Sequence, residues 1–253
     1  MKIDKPKLSQ IPKLWGLWRE AFGDTEEFLT AFYKSAFHVN RCRCVTIKEE
    51  IVASLYWFDC IYKDKKIAYL YAVATAKAYR WQGICKSLIS DTHSYLLGCG
   101  YEGVVLVPGN RELFKLYEGM GYQTCSHMKE ICCTAEGKGI EVRRVNQAEY
   151  ARLRRQMLPE GGVVQEKENL DFLETQATCL AGDKFLLAFR EENHNLYGIE
   201  LLGDVSVAPK ILSTLGYTKG IFRVPGEERP FAMYLSLGNP NLSAPEYFGL
   251  AFD

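Results

Sequence analysis

Ala72-Val-Ala-Thr-Ala-Lys-Ala-Tyr-Arg-Trp-Gln-Gly-Ile-Cys-Lys86 is the stretch of this 253-residue chain that decides its fold. Its first residues close a run rich in β-branched and aromatic side chains, Lys66–Thr75, which predicts a strand. From Gly83 to Leu97 the period becomes helical, with Ile84, Leu88, Tyr95 and Leu96 facing one way. A strand, a short loop and a helix in that order leave amide N–H groups at the helix start without intrahelical partners. Together with the helix dipole they form an anion site suited to a diphosphate. Gly83 lets the backbone approach closely, Cys85 is small, and Arg80 and Lys86 add positive charge. An ordinary strand-to-helix turn shares these features, so the surroundings must decide.

Upstream, Leu8, Ile11, Leu14, Trp15 and Trp18 recur at helical spacing, as do Phe28, Leu29, Phe32, Tyr33 and Phe37 after Gly23-Asp24-Thr25. Thr25 is the expected N-cap of the second helix, with Glu26 and Glu27 in the first turn, where the dipole favours acids. Arg43–Lys48, Ile51–Tyr62 and Lys66–Thr75 read as an antiparallel meander, broken at Glu49-Glu50 and at Lys63-Asp64-Lys65. Downstream come a buried strand, Gly103–Val107, a helix from Arg111 to Gly119, and a strand, Ser126–Thr134.

These segments, taken together, resemble the GNAT N-acetyltransferases. Arg80-Trp-Gln-Gly83-Ile-Cys85 matches the family's R/Q-x-x-G-x-G/A signature, and Tyr69-Leu-Tyr-Ala-Val-Ala-Thr75 resembles the strand before it. Asn110-Arg-Glu-Leu-Phe-Lys-Leu-Tyr117-Glu-Gly-Met-Gly121-Tyr122 resembles the helix that follows. The order and spacing of three segments is far more specific than any one of them. The resemblance covers about residues 1–134. It departs from the family at Lys77, where proline is common, and at Cys85, whose thiol would crowd a pyrophosphate slightly.

The resemblance implies an α/β (α+β) fold with a mixed, mostly antiparallel sheet flanked by helices. It also implies acetyl-coenzyme A held where two neighbouring parallel strands, here Lys66–Thr75 and Gly103–Val107, splay apart. Unpaired backbone there can pair with the pantetheine amides, and an amide among Val73, Ala74 and Thr75 can hold the thioester carbonyl. The cofactor contacts are then Val73, Ala74, Thr75, Arg80, Trp81, Gln82, Gly83, Ile84, Cys85, Lys86 and Asn110, the last also a candidate helix N-cap. The family's acid, a tyrosine that protonates the leaving thiolate, falls on Tyr117; a core aromatic is the alternative reading of that residue.

The attacking amine must be neutral. For a lysine-like amine of pKa about 10.4 the neutral fraction at pH 7 is about 1 in 2,500, a cost of about 4.6 kcal/mol. The sequence leaves the base open among Asp24, Glu26, Glu27, Asp59, a water relay and the carboxylate of Asp253, which some two-lobed relatives place in the active site. His93 and His127 read as structural. The implied reaction is acetyl transfer to a primary amine of a small molecule or peptide by direct attack on the thioester. A non-catalytic acyl-coenzyme A sensor is the alternative.

Composition narrows the classes. Lys plus Arg and Asp plus Glu both number 31, so the net charge is zero and there is no global basic field to favour nucleic acid. The longest apolar runs fall far short of the roughly 18 residues a membrane helix needs, and the start has no apolar segment of a signal peptide. Nine scattered cysteines, an odd number, read as reduced thiols in a cytoplasm, and neither Cys42-Arg-Cys44 nor Cys132-Cys133 has the partners of a zinc site, so no metal is expected. A homodimer stays open.

Beyond a polar linker at 135–139 the pattern restarts over 140–253. Ile140–Val145 predicts a strand, Asn146–Met157 and Leu170–Leu180 helices, and Phe185–Arg190 and Leu196–Leu202 strands. A helix at Pro209–Leu215 precedes strands at Gly220–Val224 and Phe231–Leu237. A helix running into Gly-Tyr occurs twice, at Gly121-Tyr122 and Gly216-Tyr217, suggesting two related lobes. Where the first lobe has its anion loop, the second has Gly203-Asp204 and Pro209, so it is expected to be degenerate, to bind no cofactor and to close one side of the substrate groove.

Overall fold

The computed structural model describes residues 1–252; Asp253, with its terminal carboxylate, lies outside the described residues. The chain divides into two units, the first from Met1–Gln123 and Tyr234–Ser243, the second from Thr124–Met233 and Ala244 onward.

In the first unit β1 (Lys2–Asp4) precedes two helices, α1 (Ile11–Phe22) and α2 (Glu26–Ser35). Gly23, at φ 74°, turns the chain out of α1. Thr25 then caps α2, its Oγ1 accepting from the Phe28 amide at 3.2 Å. The meander follows as β2 (Cys42–Ile47), β3 (Glu50–Tyr62) and β4 (Lys65–Thr75). Its two turns, Lys48-Glu49 and Lys63-Asp64, have positive φ at both residues, the geometry that matches strand twist in a two-residue hairpin. α3 (Ile84–Gly98) crosses over to β5 (Gly103–Leu106), which lies parallel to β4, and α4 (Arg111–Glu118) comes next. The sheet order is β1-β2-β3-β4-β5.

Strand alternation divides the side chains of β3 between two layers. Tyr56 packs on Trp18 of α1 and Phe32 of α2, with ring centroids 5.0 and 5.3 Å apart, while Trp57 meets Tyr95 of α3 at 6.0 Å. Cys42 and Cys44 are buried in β2, as two core residues on one strand face should be.

The second unit contains β6 (Gln123–Thr134), β7 (Arg143–Arg144), α5 (Gln147–Met157), β8 (Val164–Gln165), α6 (Glu168–Gln176) and β9 (Thr178–Ala181). β10 (Phe185–Glu192), β11 (Asn195–Gly203), α7 (Ala208–Leu215) and β12 (Lys219–Pro225) follow, and β13 (Arg229–Ser236) starts in this unit while its residues from Tyr234 belong to the first. Its strands run β6-β12-β11-β10-β9-β7 in order, antiparallel except β11 with β12. Leu187, Leu201, Ile211, Leu212 and Phe222 are fully buried in its core.

Two expected elements differ. Leu170–Leu180 is not one helix: α6 stops at Gln176, Ala177 turns extended, and β9 pairs with β10 through Leu180↔Leu187 and Cys179↔Ala188. Ile140–Val145 contributes only Arg143 and Arg144 to the sheet, while Ile140 and Val142 pack on the core without a ladder. Among the described residues no helix is long and apolar enough to cross a membrane.

Candidate functional site

β4 and β5 run in parallel register from Ile67↔Gly103 to Leu70↔Leu106, and the register stops there. β4 continues to Thr75, paired with β3 on its other edge. Between Ser54↔Ala74 and Tyr56↔Tyr71 the register shifts, so that two residues of β4, Ala72 and Val73, stand opposite Leu55 alone. This is a β-bulge, a device that re-aims the backbone and frees ladder groups. Ala72 takes φ 47° within it, a strained value for a residue with a Cβ. At the end of the strand the Thr75 hydroxyl is buried with no hydrogen-bond partner among the described residues.

The loop after β4 is braced. The Glu20 carboxylate accepts from the Lys77 amide at 2.6 Å, a short turn spans Lys77–Tyr79, and the Gln82 side-chain amide donates to the Ala78 carbonyl at 3.2 Å. Arg80 Nε donates to the Thr75 carbonyl at 3.1 Å. Gly83 stands at the N-cap of α3 with φ 77°, a conformation glycine adopts without strain, and offers no side chain to the first-turn amides. α3 therefore presents bare N–H groups and its positive dipole end beside the parted strands. Bare amides, a bulge and an orphan hydroxyl in one place fit an extended ligand that is anionic at one end and amide-bearing along its length.

Tyr117 lies on α4, whose N-cap is Asn110: its Oδ1 accepts from the Leu113 amide at 3.0 Å. Tyr117 is buried and stacks edge-on against Tyr122 at 5.5 Å. Burial, and then the nearby Cys85 thiol, push its phenol above the ordinary value, so it stays protonated. Its hydroxyl makes no hydrogen bond to a described residue, whereas the Tyr122 hydroxyl is paired with His93 Nε2 at 2.6 Å. Burial lowers the His93 pKa to about 4, which leaves it neutral.

Residues 2–125 match the model of the acetyltransferase (GNAT) domain. Residues 2–125 belong to the GNAT acetyltransferase family. A GCN5-related N-acetyltransferase from Kribbella flavida superposes with a TM-score of 0.72 at 15% identity, over 93% of this chain and 71% of that one. A second, from Anabaena variabilis, gives 0.72 at 14% identity over 94% and 73%. At such identities the likeness is one of fold. No curated protein matches the sequence.

As a GNAT domain, the first unit is an acyltransferase. Its acids are differently placed from one another. Asp24 accepts from Trp18 Nε1 at 2.7 Å, and Glu26 and Glu27 lie exposed in the first turn of α2. Asp59 stands opposite Ala68 and accepts from the Tyr101 hydroxyl at 2.5 Å. That is seven residues along β4 from Thr75, roughly 23 Å at the usual rise, which takes it away from the bulge. Sequence reading missed Glu20, whose brace on Lys77 joins residues 57 positions apart, and the bulge at Ala72. Neither has a local signal: alanine does not announce a left-handed φ.

Proposed function

We propose that the GNAT domain transfers an acetyl group from acetyl-coenzyme A to a primary amine of a small molecule or peptide, by direct attack on the thioester. The observation that carries this reading is the bulge at Ala72–Val73, at the point where β4 leaves β5 and beside the uncapped start of α3. In this reading the amides of Ile84, Cys85 and Lys86, with Arg80, hold the pyrophosphate. Pantetheine lies along Tyr71–Thr75 as a β-like partner, with the Thr75 hydroxyl available to it. A backbone N–H among Val73, Ala74 and Thr75 holds the thioester oxygen as charge develops on it. Tyr117 keeps a proton for the departing sulfur. The acceptor nitrogen gives up its own proton to water or a carboxylate.

The second unit is read as a GNAT-like lobe without a cofactor site. It repeats the hairpin, crossover helix and parallel strand as β10–β11, α7 and β12. Where an anion would meet bare amides, the Asp204 carboxylate already accepts from the Ser206 amide at 3.0 Å, and Pro209 removes a donor from the first turn of α7.

The test is calorimetric titration with acetyl-coenzyme A, followed by release of free thiol across a panel of amines, antibiotics and peptides. One site per chain, lost in Gly83→Trp, and thiol release above the cofactor-only control are expected. Binding without release would leave an acyl-coenzyme A sensor; no binding at millimolar cofactor would remove both.

A further inference from the structure

Nine residues other than glycine have positive φ among those described. Six of them are the paired residues of three two-residue hairpin turns, Lys48-Glu49, Lys63-Asp64 and Asn193-His194, where the turn demands that conformation. Lys167 is the residue before α6. The remaining two are Ala72, in the bulge, and Trp81, in the loop before α3. Trp81 is the more demanding case. Its φ is 65° and its side chain is 99% exposed. A bulky residue in the left-handed region is strained, and here no packing offsets the strain. Nor is the loop loose. Arg80 is tied to Thr75 on one side, Gln82 to Ala78 on the other, and Lys77 to Glu20 at its start. The fold holds one indole out into solvent, two residues before the glycine at the helix N-cap.

We propose that Trp81 stacks on the adenine ring of coenzyme A, so that the loop reads the nucleotide half of the cofactor. The inference rests on the coenzyme A reading above. If the pyrophosphate lies on the first-turn amides of α3, only a ribose separates it from the base, and the nearest aromatic face along the loop is Trp81. A fixed indole binds a planar base with little loss of side-chain freedom, and such stacks are worth about five- to hundredfold in affinity. The backbone strain is then repaid only in the bound state, which explains a tryptophan where glycine would be more comfortable.

The experiment compares coenzyme A, dephospho-coenzyme A and 4′-phosphopantetheine, which lacks the adenosine together with its 3′- and 5′-phosphates, by calorimetry on the parent, Trp81→Gly and Trp81→Phe. Glycine suits φ 65° and no packing is lost, so the variant folds. The Gly variant is expected to lose five- to hundredfold for both adenine-bearing ligands and less than twofold for phosphopantetheine, with Phe restoring most of the loss. In the parent, the emission of this solvent-facing indole should be quenched by coenzyme A and not by phosphopantetheine. Equal coenzyme A affinity in parent and Gly variant, or an equal loss for all three ligands, overturns the assignment while leaving the coenzyme A reading intact. A parent that binds none of them removes that reading and this inference with it.

Discussion

Arg80 Nε donates to the carbonyl oxygen of Thr75 at 3.1 Å, tying the loop before α3 to the last residue of β4. The link sets the spacing between the start of the helix and the end of the parted strand, the two ends of the proposed cofactor path. It also leaves the rest of the guanidinium in solvent, free to meet a phosphate.

Arg80→Gln should therefore weaken coenzyme A binding without destabilising the fold. The side chain is exposed, so the electrostatic part is screened, and a loss of about 1 kcal/mol, roughly fivefold in affinity, is expected. Raising the salt concentration should weaken the parent more than the variant. Titrations at two ionic strengths check this; parallel salt dependences would show that Arg80 only braces the loop.

The second unit has a buried charge pair. Arg154 Nε and Nη2 reach the two carboxylate oxygens of Glu200 at 2.7 and 2.9 Å, and the Tyr150 and Tyr247 hydroxyls donate to the same carboxylate at 3.2 and 2.9 Å. Both charged side chains are almost fully buried. Glu200→Ala leaves the guanidinium uncompensated and should cost about 3–5 kcal/mol. Arg154→Met with Glu200→Leu should recover part of that loss, since apolar packing often replaces such pairs. Denaturant midpoints of the single and double variants decide it.

Much of this architecture is legible in the sequence because it is local. Thr25, Asn110 and Asn146 cap their helices as their side-chain chemistry requires, each accepting from the amide three residues on. The meander and the crossover helix follow from periods of two and of about 3.6 residues. What stays hidden depends on distant partners. The bulge at Ala72 exists because Ser54 and Tyr56 fix the register from across the sheet. Thr178–Ala181 becomes a strand because β10 offers it an edge, although Leu170–Leu180 continues an apolar pattern that reads as helix. The core position of Ile140 and Val142 is visible, but their lack of a ladder is not.

His93 supplies a pH signature. Burial lowers its pKa to about 4, from an ordinary 6.5. Between those values the unfolded chain binds a proton that the folded one refuses, so this contribution to stability is complete above pH 6.5 and is lost as pH falls toward 4. Over the full window it amounts to about 3 kcal/mol. His93→Gln can keep a hydrogen bond to Tyr122 and removes the titration. Its stability should vary less between pH 6.5 and 4.5 than that of the parent; equal slopes would place the acid sensitivity elsewhere.

The sharpest prediction concerns Tyr117. Tyr117→Phe keeps the ring, its edge-on contact with Tyr122 at 5.5 Å and its burial, and removes only the hydroxyl. Because that hydroxyl bonds to no described residue, its loss should leave the thermal midpoint nearly unchanged. The affinity for acetyl-coenzyme A should also be close to that of the parent, since the phenol is asked to act only when the sulfur departs. Turnover is different. A positioned general acid is typically worth 10²–10⁴-fold, about 2.7–5.4 kcal/mol of barrier, so the rate should fall at least tenfold. A purely structural tyrosine predicts the same unchanged midpoint with little specific loss of rate, so the turnover of the folded variant carries the decision. Measuring midpoint, affinity and thiol release on one preparation separates the two. Unchanged turnover in a folded variant would mean that the thiolate leaves unaided or takes its proton from water, and the acid role of Tyr117 would fall.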